Sequence, residues 1–416
     1  MEALVKDKMD CCGCTACMNS CPKNAITMQP DADGFLYPAI DFEKCIDCGI
    51  CQKVCDFKNR EKHQLNFKKV FALQHNSEGV LKTSTSGGAF TAISDVFLER
   101  GAVVFGALLD DNFDVYYVAV RTKEERDKLK GSKYVQSDLK SAYKAIKELL
   151  SHDTEVMFVG TPCQVSGLYS YIGKDYSKLF TLDFICRGTP SLLLLKEHIK
   201  YLENKYNKKA ISYKFRDKKY GWIHTESVRF SDGVTCSSFA VLKLMTLFYS
   251  NLDLRPSCYV CKYANLHRDA DITIGDYWGV EKVHKIYDNN GTSLLIVNSD
   301  KGDKMLSSLA GSCKLIPSDI KLAMQRGIKR PVRMPENRDE FWKLYHASGY
   351  SAAVDKYGIL TPKQKMRTVS KRIFHVLHID KFIILLKTNL RKNRPVSQII
   401  QNRNKNKVKR IKNESR

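Results

Sequence analysis

The sequence predicts a multidomain chain of mixed α+β and α/β class, and three observations carry that expectation. A spaced cysteine run occurs twice within residues 1–60. Short apolar, strand-like runs then alternate with helix-like ones through residues 68–335, the pattern of an α/β body. Beyond residue 336 the composition turns basic and helix-like. The divisions expected are 1–60, a small cysteine module; 68–150 and 151–335, two parts of one body; and 336–416, a helical, strongly basic tail. At 416 residues the chain has ample material for more than one core.

The cysteine module is the most specific signal. Cys11-x2-Cys14-x2-Cys17-x3-Cys21-Pro22 is repeated as Cys45-x2-Cys48-x2-Cys51-x3-Cys55, starting 34 residues later. This spacing is similar to that of bacterial two-cluster ferredoxins, in which three close thiolates wrap one [4Fe–4S] cluster and the fourth crosses to the other. On that pattern Cys11, Cys14, Cys17 and Cys55 hold one cluster, and Cys45, Cys48, Cys51 and Cys21 the other. Zinc ribbons use paired ligands separated by a long gap, so they do not account for the run. Cys12 reads as a packed spectator thiol. Asp56 follows the second run where a proline is common, and a carboxylate beside a cluster is expected to lower its potential.

Composition sets further bounds. The 43% hydrophobic content reads as globular, and no run is long enough to span a bilayer. Met1–Lys8 lacks an apolar core of the signal-peptide kind, and fifteen cysteines without an export signal suggest metal or redox work in a reducing cytoplasm. Of the net charge of +23, residues 361–416 contribute +15, so the charge belongs chiefly to the tail. The rest shows no helix-turn-helix cue and no basic-aromatic array of the kind nucleic-acid binding would need.

The body's elements follow in order. Lys58–Asn66 is polar and reads as a linker. Val70–His75, Ala102–Leu109, Val115–Val120, Glu155–Gly160, Leu179–Ile185, Asp271–Gly275 and Leu294–Asn298 read as strands. Ala92–Arg100, stopped by Gly101, reads as a helix, as do Ser137–Leu150 and Ser191–Asn207. Residues 211–240 read as antiparallel strands with Asp232-Gly233 at a hairpin turn.

Four stretches carry residue types with chemical uses. Ser84–Thr91 places two glycines and several hydroxyls before a helix, which suits close approach of a phosphate or flavin. Gly160-Thr-Pro-Cys163-Gln and Cys186-Arg-Gly-Thr-Pro-Ser follow buried strands, where α/β sheets keep functional loops. Cys258-Tyr-Val-Cys261 precedes Arg268–Gly279. A CxxC alone is open among zinc, a redox pair and no function. The four dispersed thiols are enough for a further cluster, but periodicity does not show that they converge. Cys236 and Cys313 read as ordinary buried thiols.

Together SGGAFT, GSKYVQS, GTPCQ, CRGTPS and CxxCxYANLHRDADITIGDYWG resemble the beta subunit of coenzyme F420-reducing hydrogenases and dehydrogenases, over roughly residues 1–335. The resemblance implies an iron–sulfur flavoprotein oxidoreductase with FAD and a flavin-binding body. It makes Ser86, Gly87, Gly88 and Thr91 candidate FAD contacts, and Gly131, Ser132, Lys133 and Tyr134 a second cofactor-facing loop. Lys133 is either a cation against flavin charge or a solvated loop lysine. Cys163, Cys186, Cys258 and Cys261 become ligands of a third [4Fe–4S] cluster, while Asp276 and Trp278 shape a turn packed against it. No catalytic acid or base is singled out, because hydride transfer to a flavin requires none. A flavin takes electrons in pairs and gives them singly, so the implied route joins a two-electron carrier or substrate, such as coenzyme F420, to one-electron partners. Two other readings stay open: a ferredoxin-fed reductase of an unidentified organic substrate, and a non-catalytic relay subunit of a larger redox complex.

The tail lies beyond the resemblance. Lys371–Lys392 is apolar in blocks and basic at its ends, and Asn402–Lys412 carries six Lys/Arg. It reads as a peripheral contact with anionic lipid at the inner face of the membrane, or as a packed helix followed by a solvated end. Nucleic acid is supported only by charge.

Overall fold

The computed structural model describes residues 4–60, 67–223, 225–284, 286, 289–377 and 379. Strands are numbered along the chain: β1 Ile26–Pro30, β2 Leu36–Ile40, β3 Lys69–His75, β4 Val103–Leu109, β5 Val115–Val120, β6 Val156–Gly160 and β7 Leu179–Phe184. There follow β8 Ala210–Lys214, β9 Ser227–Phe230, β10 Thr235–Cys236, β11 Ile272–Asp276, β12 Ser293–Val297 and β13 Cys313–Pro317.

Eight strands form the central sheet in the order β13-β3-β12-β11-β7-β6-β4-β5. Its middle, β11-β7-β6-β4, is parallel, and antiparallel strands flank it on both sides. Burial on both faces explains the unbroken apolar run of β6, as parallel strands require. The helices Ala89–Glu99 and Asp300–Leu309 cover one face. Ala142–Ser151 and Pro162–Ile172 cover the other. Alternation of strand and crossover helix thus produced the expected α/β body. A second core joins the helices Leu192–Tyr206, Lys243–Ser250 and Arg338–Tyr357 to the antiparallel sheet β10-β9-β8. Its hairpin turns at Asp232-Gly233, with Gly233 at φ +83°.

Two local expectations are corrected. The helix expected from Ser137 starts only at Ala142. Residues 137–141 are held instead by the sheet edge: Tyr117 N donates to Asp138 O, and Asp138 N to Val115 O. The run from Lys58 does not begin as a linker either. Asp56–Asn59 is helical, and Arg60 donates to Asp269 at 2.7 Å and to Ser166 at 2.9 Å. Residues 61–66 of that run lie outside the described residues.

The cysteine module packs directly on the body. Cys14, Ala16 and Val54 share a core with Val165 and Leu168 of the helix Pro162–Ile172. At Gly167 of that helix an added Cβ would lie 2.9 Å from the Cys14 sulfur, so only glycine admits this approach. Of the tail expected over 336–416, the helix Arg338–Tyr357 belongs instead to the second core through buried Phe341, Trp342 and Val354, and the helix Pro362–Val376 follows with Thr361 as its N-cap. It exposes Met366, Val369, Ile373 and Val376, while Arg372 donates to Ser237 O at 2.6 Å. Among the described residues no helix is long and apolar enough to cross a membrane. Of the basic segment expected at the far end, residues 380–416 lie outside the described residues.

Candidate functional site

Both cysteine runs fold around left-handed residues. Gly13, Thr15 and Gly49 have φ of +72°, +62° and +70°, and short helices follow at Ala16–Ser20 and Ile50–Lys53. These reversals turn successive thiols toward a common space. Cys21, Cys45, Cys48 and Cys51 line one cavity of about 60 Å³ with Ile26, Ile40 and Ile46. The second group gathers Cys17 with Cys14, Cys11 and Cys55: burial pushes the Cys17 thiol up, and the other three add to it. The fourth cysteine of each run therefore stands with the other run. Among the described residues no three His, Cys, Asp or Glu side chains converge on a point as a single ion would need. A cubic cluster makes a different demand, since each thiolate binds its own iron and the four enclose a space.

Asp56 is not a bare charge beside the second group. Ser166, Tyr263 and Arg60 donate to its carboxylate at 2.5, 2.7 and 3.2 Å. Burial pushes that carboxyl up, but these partners outweigh it and hold it below the usual range. Its charge acts on Cys14, in that same group.

In the body, four thiols come together from three places. Cys163 opens the helix after β6, Cys186 follows β7, and Cys258 and Cys261 lie in and just after the 3₁₀ turn Pro256–Val260. Burial raises the Cys186 thiol, and the proximity of Cys258, Cys163 and Cys261 raises it further. Thr189 N donates to the Cys258 sulfur at 3.3 Å, and Thr161 Oγ1 lies 3.1 Å from that of Cys163. Cys12, expected to be a spectator, lies near both Cys14 and Cys163, whose thiols raise its own together with burial. Cys12 is in turn the largest influence pulling the Cys163 thiol down to about 7 against burial. Cys12 thus links the N-terminal thiols to the body's, a contact no spacing rule marks.

Beside these thiols, at the carboxyl ends of the parallel strands, lies a cavity of about 550 Å³. Ser86, Gly88 and Thr91 line it from one side, Gly131, Ser132, Lys133 and Tyr134 from another, and Cys186 from a third. Gly87 serves packing instead: an added Cβ would meet Leu73 O at 2.2 Å. Lys133 is half-buried and its amine donates to Leu129 O at 2.6 Å and Lys130 O at 3.2 Å. Burial pulls this ammonium down to about 7. The Ser84–Thr91 loop is anchored by Lys218, which donates to Leu81 O at 2.7 Å and Ser86 O at 2.8 Å and is distant in sequence. Arg187, Arg326, Tyr249 and Trp278 line it as well. Asp276 and Trp278 belong to this cavity wall. Arg216 donates to Asp276 at 2.8 Å, and Trp278 stacks on Trp222 with centroids 4.7 Å apart.

With this geometry in hand, comparison with known proteins is informative. The family models for coenzyme F420 hydrogenase/dehydrogenase, beta subunit, match at residues 70–144 for the N-terminal part and 153–320 for the C-terminal part. A 4Fe-4S dicluster domain model matches residues 10–59. A chain of the F420-reducing [NiFe] hydrogenase complex from Methanosarcina barkeri, solved after xenon derivatization, is 20% identical with a TM-score of 0.43, covering 75% of this chain and 94% of its own. The comparison with curated proteins gives no match. The chain therefore belongs to the coenzyme F420 hydrogenase/dehydrogenase beta-subunit family, and is an oxidoreductase of that family with a 4Fe-4S dicluster domain at its N-terminal end.

Proposed function

We propose that the 550 Å³ cavity holds FAD and that Cys163, Cys186, Cys258 and Cys261 hold a third [4Fe–4S] cluster, beside the two held by Cys11, Cys14, Cys17 and Cys55 and by Cys21, Cys45, Cys48 and Cys51. The observation that carries this reading is the convergence of the Ser84–Thr91 loop, the Gly131–Tyr134 loop and Cys186 on one cavity. A bound flavin supplies exchange between electron pairs and single electrons. The chain supplies order: from the cavity, the thiol groups succeed one another through Cys186, Cys163, Cys12 and Cys14 to the outer set, whose Cys48 is exposed. That order suits single electrons moving between the cavity and a redox protein docked at the outer set. Arg187 and Arg326, with Tyr249 and Trp278, suit a planar anionic substrate, as a coenzyme F420-like carrier would be. Anaerobically purified protein is expected to contain one flavin and about twelve irons, four per cluster. Iron near eight would remove the third cluster, and a colourless cavity with three clusters would leave only electron relay.

Lys133 gives this reading a pH signature. An anionic ligand against the wall favours the ammonium form and raises its pKa above 7. Below that pH the amine is charged with or without ligand, so affinity is flat. Above it the empty site must take up a proton on binding, and affinity falls by up to about tenfold per pH unit until the ligand-bound amine also titrates. Titration of apoprotein with FAD between pH 6 and 9 reads this slope, and Lys133→Met is expected to abolish it. A flat profile in the native protein would take Lys133 out of contact with the cofactor.

A further inference from the structure

Arg255 is a buried cation at the joint between the cysteine module and the body. It is 1% exposed and is among the largest fully buried side chains. Its Nε donates to Cys11 O at 2.7 Å, and Nη1 to Gln136 Oε1 at 3.3 Å. The guanidinium carbon lies 4.0 Å from the centre of the Tyr37 ring. Gly13, inside the first cysteine run, closes on it so tightly that an added Cβ would stand 3.2 Å from that carbon. Nη2 is buried with no hydrogen-bond partner.

No carboxylate among the described residues pairs with Arg255; the groups acting on it most strongly are Cys11, Tyr37, Cys12 and Cys258. A guanidinium stripped of water and left without an anion is strongly unfavourable, because its lost hydration is not replaced. Two neutral acceptors and the aromatic faces of Tyr37 and Phe35 do not replace a counter-charge. The groups that become negative here are thiolates: Cys11 on the module side, and Cys258 and Cys163 on the body side, all of which feel the Arg255 charge.

We infer that Arg255 is the shared counter-ion of two iron–sulfur clusters, the one on Cys11, Cys14, Cys17 and Cys55 and the one on Cys163, Cys186, Cys258 and Cys261, and that it sets their potentials together. The half concerning Cys258 rests on the third cluster proposed above; the half concerning Cys11 does not. Reduction adds one negative charge to a cluster, so a fixed cation facing both makes both easier to reduce. It also leaves the outer cluster, whose ligands are Cys21, Cys45, Cys48 and Cys51, outside its reach. Arg255 is a positioning residue in this sense: it touches the ligands' surroundings and acts through them.

Redox titration of the full chain, followed by low-temperature electron paramagnetic resonance, tests this. Arg255→Gln is expected to lower the midpoint of the two inner clusters by at least a tenfold change in the reduced-to-oxidised ratio, about 59 mV for a one-electron couple. The outer cluster should not move and serves as the internal reference. Arg255→Lys keeps the charge and is expected to stay closer to the native potentials. Equal shifts in all three clusters, or none, would overturn the inference. If Arg255→Gln fails to retain its iron, the lysine variant decides. Native-like potentials in it support the counter-ion, and loss of the clusters from both variants makes Arg255 a structural latch and overturns it. Iron near eight in the native protein would remove the third cluster, while a shift in the Cys11 cluster alone would still uphold the module half.

Discussion

Cys258→Ala is expected to lose about four of about twelve irons while the two N-terminal clusters keep their spectra. The four body thiols come from three segments, Cys258 and Cys261 sharing one, and Cys258 is held in place by the Thr189 amide at 3.3 Å. Removing one of four ligands leaves an iron without its protein thiolate, and the remaining three sit on loops with independent anchors. The N-terminal groups draw no ligand from the body, so their thiols are untouched. Electron flow is then expected to split: donor-driven bleaching of the cavity's cofactor persists, and reduction of the N-terminal clusters by the same donor becomes slow. Iron and acid-labile sulfide analysis measures the first outcome, and anaerobic stopped-flow mixing the second. Unchanged iron would withdraw Cys258 as a ligand. Undiminished reduction of the N-terminal clusters would show that electrons bypass the body thiols.

The second large effect is on stability. Asp183 on β7 is 0% exposed, and its nearest charge is Arg268, itself 2% exposed, at 3.5 Å. Burial raises the Asp183 carboxyl to about 6, with Arg268 opposing that rise. Arg268→Ala strands the carboxylate, and losing one partner of a buried pair costs about 3–5 kcal/mol. In a body of this size that is a fall of about 6–10 °C in the unfolding midpoint. The sign of the pH dependence follows from the raised pKa. The folded state holds the Asp183 proton more tightly than the unfolded chain, whose carboxyl titrates near about 4. Its contribution is therefore full below about pH 4 and is lost as pH rises through about 6. Without Arg268 the carboxyl rises further, so the variant's deficit should be larger at pH 8 than at pH 5. Circular dichroism melts at the two pH values measure this. Adding Asp183→Ala to Arg268→Ala is expected to recover part of the loss, because no buried charge then remains. Equal deficits at both pH values would mean that Arg268 acts through packing rather than through charge.

Some of this architecture was legible in the sequence because covalent spacing or periodicity imposes it. The duplicated cysteine run needs only local turns at Gly13, Thr15 and Gly49 to gather its thiols. Apolar runs such as Val156–Gly160 had no other place than a sheet covered on both faces. The motif loops could be assigned to strand ends for the same reason. Contacts made across long separations were not legible. Nothing near Cys12 indicates that it meets Cys163, and nothing near Lys218 indicates that it ties down Ser86. The helix expected from Ser137 failed because the sheet edge took Asp138 as a bridge partner before the helical pattern could begin. Gly87 looked like a ligand-facing glycine, yet what demands glycine there is the carbonyl of Leu73 behind it.

The shared core at the joint has a consequence for how the protein is made. Cys14, Ala16 and Val54 fill the same apolar space as Val165 and Leu168, with Gly167 leaving room for no more than a sulfur. Residues 4–60 are therefore not an adapter clipped onto a finished body but one wall of it. Metal ligation and folding are coupled wherever a site is unformed in the unfolded chain. An iron-starved chain would lack a firm surface for the helix Pro162–Ile172, and with it the segment that presents Cys163. Iron limitation during expression is then expected to lower the yield of folded body, not only its iron content.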